Sequence, residues 1–238
     1  MFDRIREAAA RRIDSTVEFA SRLVQTPSMP GHEGDVAALV QAEMTRLGYD
    51  RVEVDDVGNV MGLLRGQRSG RSVMFNTHMD HVSPGDRAFW RADPYSGQVA
   101  DGSLWGRGST DIKGPMACQI HTVPLLKEAG LLPAGDVWVV AVVMEEVGGL
   151  GTQQLVHHLR TDSAVVGEPS QCQLKRGHRG RTGLEARIVG KAGHASAPDR
   201  AVNPHYVAAA LLLALRDLPM VTHPDFGAAT LVPTIYRS

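Results

Sequence analysis

The sequence predicts an α/β protein whose mixed, largely parallel sheet is covered by helices. Three observations carry this. Apolar runs of strand length alternate with segments of helical periodicity. Residues 137–144 are continuously apolar and rich in valine, as in a strand buried on both faces. Each acidic or histidine cluster of interest follows such a run, and sheets of this kind gather functional groups at the carboxyl ends of their strands.

The elements follow in chain order. Ile5, Ala8, Ala9, Ile13, Val17, Ala20 and Val24 recur at three- and four-residue steps, so residues 3–25 form an amphipathic helix that Pro27 and Pro30 stop. Residues 34–47 form a second helix closed by Gly48. Short strands are expected at 52–54, 59–64 and 72–76, the last running into Thr77-His78-Met79-Asp80. A helix spans 114–130 with Pro115 in its first turn, where a missing N–H costs nothing. The valine-rich strand follows, then a helix at 149–160 and another buried strand at 164–166. The texture changes after Gly180. Residues 182–189 alternate like a half-buried strand, 203–218 form a helix rich in alanine and leucine, and 229–236 form a further strand. A domain boundary is expected near residue 179, separating domains 1–178 and 179–238.

Composition narrows the function classes. The chain has 238 residues, 43% apolar and 21% charged, which allows a sizeable core. With 25 basic against 26 acidic residues there is no large basic field, so neither nucleic acid nor an anionic membrane is an expected partner. The charged N-terminal stretch has no apolar core of a signal peptide, and no stretch approaches a spanning helix. Cys118 and Cys172 show no paired spacing and read as reduced, buried thiols, with the cytoplasm as the expected compartment.

Four places carry chemistry. His78 and Asp80, two residues apart at a strand end, can point to one side, where the carboxylate fixes the imidazole tautomer for metal binding. Read alone, this is more often an ordinary surface turn. Asp111 sits in Gly106-Arg107-Gly108-Ser109-Thr110-Asp111-Ile112-Lys113-Gly114. It could bridge two ions or cap the following helix. Glu145 and Glu146 follow the valine-rich strand directly. One can bind metal while the other holds a water as general base, or both can belong to a solvated loop. Glu168 ends the next strand and could supply another oxygen ligand. Together, one histidine and several carboxylates suit a pair of zinc-like ions.

With these residues in view, the sequence closely resembles the family of acetylornithine deacetylases, succinyl-diaminopimelate desuccinylases and glutamate carboxypeptidases. The resemblance rests on Asn76-Thr77-His78-Met79-Asp80, the Gly106–Gly114 stretch, Met144-Glu145-Glu146-Val147-Gly148-Gly149 and Gly193-His194-Ala195-Ser196-Ala197-Pro198, in order and spacing. It implies a phosphorylase/hydrolase-like catalytic domain followed by the first half of an α+β lid and dimerisation domain. His78 and Glu168 would bind the first of two divalent ions and Glu146 the second. Asp111 would bridge them, with a cis peptide to Ile112. Zinc is the first expectation, with cobalt or manganese as alternatives. Asp80 would orient His78, Glu145 would act as general base and proton shuttle, and His194 would reach across a dimer to the substrate or its oxyanion. The implied substrate is an N-acyl amino acid or small peptide, and the implied assembly a homodimer through the lid.

Arg179 and Arg181 could clamp a substrate carboxylate or be solvated hinge charges. His32, His81, His121, His157, His158, His205 and His223 match no ligand motif and read as surface or structural. The resemblance also calls for one more histidine ligand, which Ser238 precedes, so the chain is expected to be the first part of a longer protein. The rival expectation is a non-catalytic remnant that binds metal or a partner through the lid.

Overall fold

The computed structural model of the chain describes residues 1–237. They fall into two compact units that divide between Cys172 and Gln173.

In the first unit, α1 (Phe2–Gln25) buries Ala8, Phe19, Ala20, Leu23 and Val24. It stops at Thr26, which is extended as the residue before a proline prefers to be. α2 (Gly34–Arg46) buries Val36, Ala37, Val40 and Met44, and Gly48 closes it with a φ of 75° that glycine adopts freely. β1 (Arg51–Val54) and β2 (Val60–Leu64) form a hairpin, and β3 (Val73–His78) follows. β4 (Gln98–Ala100) and β5 (Ser103–Trp105) make a small hairpin not expected from the sequence. Asp101 and Gly102, both at positive φ, make its two-residue turn.

The expected helix over 114–130 is broken in two, α3 (Gly114–Ile120) and α4 (Thr122–Glu128). Pro124 has no N–H to give the Ile120 carbonyl one turn back, and the Tyr49 hydroxyl donates to that carbonyl instead at 2.7 Å. β6 (Val137–Val142), α5 (Leu150–His158) and β7 (Ser163–Val166) complete the unit.

The five-stranded sheet has the order β1-β2-β6-β3-β7. β1 and β2 run antiparallel to their neighbours, while β6, β3 and β7 are parallel. β6 lies at the centre and alternates between the faces. Val137, Val139 and Ala141 join the core under α1 to α4, while Val140 and Val142 join Met61 and Leu155 of α5 on the other face. β7 is exposed along its whole length, contrary to the buried strand expected there. It pairs with β3 alone among the described strands, and an edge position is not encoded in the three apolar residues 164–166. Both cysteines are exposed as well, and not buried as expected.

The second unit holds α6 (Pro204–Arg216), started by Asn203, whose side chain accepts from the His205 N–H, and the two-residue pair β8 (Thr222–His223) and β9 (Gly227–Ala228). The strands expected at 182–189 and 229–236 are absent among the described residues. An alternating sequence becomes a strand only beside a neighbour that pairs its backbone along its length, and here, among their described residues, only Ala229 finds such a bond, to the Val221 carbonyl at 2.8 Å. No helix among the described residues is long and apolar enough to cross a membrane.

Candidate active site

The first unit delivers its chemistry at the carboxyl end of the sheet, after β3, β6 and β7. His78 is the last residue of β3, fully buried, and its ring is held at both nitrogens. Nδ1 lies 3.0 Å from the Asp80 backbone carbonyl and 3.3 Å from its carboxylate, while Nε2 lies 3.1 Å from Asp111 Oδ1. Bound by two acceptors, Nδ1 carries a proton, and Nε2, facing Asp111, is the nitrogen a cation would take by displacing its proton. Burial opposes a charge on this ring. The hydrogen bonds to Asp111 and Asp80, with the charges of Asp80 and Glu168, outweigh it and raise the pKa to about 10.

Asp111 follows Gly108, which sits at φ 78°, and its peptide to Ile112 is cis. The next residue, Lys113, is fully buried and donates Nζ–H to the Thr26 carbonyl at 2.6 Å, tying the Asp111 turn to the end of α1. Burial pushes this ammonium down to about 7.

Asp80 does more than face His78. Its Oδ1 accepts the Glu145 N–H and its Oδ2 the Glu146 N–H, each at 3.0 Å. Burial would raise its pKa, but these bonds and His78 hold the carboxyl below its ordinary range. The acidic pair is therefore fixed through its backbone, with Glu145 exposed and Glu146 half-buried.

Ligand atoms of His78, Asp111 and Glu168 all lie within 4.8 Å of one another. Glu146 is not in that group, but it stands near enough that Asp111 and Glu145 add to burial in raising its carboxyl, against the pull of His78. Glu168 is pushed up to about 7 by burial and by the charges of Asp111, Glu145 and Glu146, with His78 opposing. So many carboxylates around one imidazole form a site in want of cations, and the donor set, one nitrogen with several oxygens, suits borderline divalent ions.

His194 lies in the second unit. Its Nδ1 accepts the Ser196 N–H at 3.2 Å and meets Ser196 Oγ at 2.8 Å, so Nε2 carries the proton of the neutral ring. In the same unit Arg179 donates to the Ala228 carbonyl at 2.9 Å. His81 and His121 are buried and structural. His81 accepts the Ser28 N–H at 2.9 Å, and His121 bridges Glu43 and Thr16. The sequence reading missed two buried side chains that hold the backbone beside the acidic pair, Asn59 on Val143 and Glu33 on Met144. A polar turn before β2 and a glutamate at the start of α2 are common features, and neither stands out without the contact.

The sequence profile of the peptidase family M20/M25/M40 matches residues 74–219, more than half of the chain. The chain belongs to that family. Within it, the chain is 33% identical over 203 residues to the uncharacterized protein YgeY of Escherichia coli, covering 84% of this chain and 50% of that protein. It is 32% identical over 237 residues to a succinyl-diaminopimelate desuccinylase of Cereibacter sphaeroides, covering 92% of this chain and 61% of that one. The chain thus spans about half to three fifths of the length of these curated relatives. Human carnosine dipeptidase 1 superposes with a TM-score of 0.62 at 23% identity, over 70% of this chain and 41% of that one, a likeness of fold.

Proposed function

We propose that the protein containing this chain is a metal-dependent amidohydrolase that cleaves the amide bond of an N-acyl amino acid or small peptide. The observation that carries this reading is the meeting of His78, Asp111 and Glu168 beside an acidic pair whose backbone Asp80 fixes. His78, Asp111, Glu146 and Glu168 would hold two divalent ions, zinc first among them and cobalt or manganese next. When bound, the ions would polarise the substrate carbonyl and lower the pKa of a water.

The rest falls to the chain's own residues. Asp80 keeps a proton on His78 Nδ1, so Nε2 stays a ligand. Glu145, exposed and free of backbone duties in its side chain, takes the proton of the attacking water and passes it to the departing amine. His194 would reach across a dimer and donate Nε2–H to the developing oxyanion. We assign metal binding to a domain of residues 1–178 and the lid role to 179–238, with a homodimer formed through the lid in the cytoplasm. The desuccinylase and dipeptidase names among the relatives support the substrate class. A panel of N-succinyl and N-acetyl amino acids and dipeptides, presented to the full-length protein with and without chelator, tests the reading. Chelator-sensitive hydrolysis of at least one is expected. Hydrolysis of none by metal-loaded protein contradicts it.

A further inference from the structure

Where β6 ends at Val142, four successive backbone N–H groups leave the sheet and must find partners elsewhere. Each finds a buried side chain. Val143 donates to Asn59 Oδ1 at 3.1 Å, Met144 to Glu33 Oε1 at 3.0 Å, and Glu145 and Glu146 to the two oxygens of Asp80 at 3.0 Å each. Asn59 is itself anchored, its Nδ2 donating to Asp55 Oδ2 at 2.7 Å and to the Gly151 carbonyl at 2.9 Å.

Of these anchors Glu33 is the least expected. It stands at the N-cap of α2, yet its side chain does not cap its own helix, and glutamate is not a favoured residue there. Only 5% of it is exposed. A carboxylate kept from water in this way needs a partner, and its partner here is the amide of Met144. Met144 in turn is where the chain turns, at φ 53°, a left-handed conformation that a non-glycine residue adopts only when held there. The direction in which Glu145 leaves the sheet is set by that turn.

We propose that Glu33 is a positioning residue for Glu145, holding the left-handed turn at Met144 that aims the general base. The inference rests on the hydrolytic reading of Glu145 given above. Among the described residues the Glu33 side chain makes no hydrogen bond to the ligand group or the acidic side chains, so its effect passes through the Met144 backbone.

The test uses the full-length, metal-loaded protein and an N-acyl amino acid or dipeptide that the wild type hydrolyses. In Glu33→Ala, kcat should fall about 10–100-fold, since misplacing a catalytic group by about 1 Å can cost about 10²-fold. KM and metal content should stay those of the wild type. Glu33→Gln, whose amide oxygen still accepts the Met144 N–H, should recover most of the rate. Adding Met144→Asn to Glu33→Ala should recover part of it, because asparagine tolerates the left-handed region. Should Glu33→Ala not fold, Glu33→Asp, which draws the carboxylate back by one methylene, is read in the same way. An unimpaired kcat in Glu33→Ala or Glu33→Asp, beside an inactive Glu145→Gln, overturns the positioning role alone. So does a loss that comes with metal loss and that neither Glu33→Gln nor Met144→Asn relieves. Wild-type turnover in Glu145→Gln overturns the hydrolytic reading, and the positioning role falls with it.

Discussion

β6 is wholly apolar and α6 largely so, yet five of the six residues of β6 are buried while α6 buries Ala208 alone. β6 has a paired strand on each side and helices over both faces, so every side chain finds a neighbour. Around α6, Tyr206, Val207 and Leu213 stay exposed. The difference reaches the functional groups. At the end of β6 and β3, residues are held by buried partners from distant elements, as Asp80 holds the acidic pair and Glu33 the Met144 amide before it. In the second unit, His194 is held by Ser196, two residues away. Preorganisation, which catalysis in a fixed field requires, is thus concentrated in the first unit.

The comparison can be broken first at the level of stability. Val140→Asp would bury an unpaired charge between two layers and should cost more than about 4 kcal/mol. Leu184→Asp, at an exposed site of the second unit, should change stability by no more than about 0.5 kcal/mol. Urea unfolding of both variants measures the contrast. Equal losses would mean that the second unit has a core of its own.

The next largest effects are on turnover. Glu145→Gln removes the base and leaves the ligands, and should slow hydrolysis at least about 10²-fold with metal content unchanged. Glu146→Gln should lose metal as well. His194→Ala should cost about 10²–10³-fold, the typical loss of one oxyanion donor, again with metal retained. Identical metal titrations for the two glutamate variants would contradict their division of roles.

Asp80→Asn sharpens the comparison within the first unit. The amide offers one acceptor where the backbone presents two donors, and its N–H₂ would face an N–H. A loss of about 10–100-fold in metal affinity or activity is expected, read by competition with a chelator and by steady-state rates.

The smallest effect concerns pH. Glu43 is buried, which would raise its pKa, but Arg46 and then His121 hold it below the ordinary carboxylate value. As pH falls through the ordinary carboxylate range, the unfolded chain therefore binds more protons at this position than the folded one. The stabilisation is full above the ordinary carboxylate range and is lost as pH falls through the lower, folded value. Glu43→Gln should be less stable at neutral pH and lose less than the wild type on acidification, measured by thermal unfolding from pH 7 to 3.

Much of the first unit was legible because its signals are local. The three- and four-residue steps of α1 and the valine run of β6 each specify an element without reference to the rest of the chain. The candidate ligands were legible as types of residue after apolar runs. What was not legible depends on neighbours. The break at His121 follows from Pro124, but its stability comes from Tyr49, 71 residues away in sequence. The exposure of β7 reflects its place in the strand order, and the hairpin turning at Asp101-Gly102 has strands of three residues, too short for a periodic signal. Glu33 and Asn59 could not be singled out, because their importance lies in which amide they meet.

The central claim is that this cluster of carboxylates and one imidazole works by holding metal. Parallel measurement of metal content and turnover through exhaustive chelation and stepwise return of zinc or cobalt tests it most directly. Turnover should fall with the metal and return with it. Undiminished turnover in protein shown by elemental analysis to be metal-free would contradict the account.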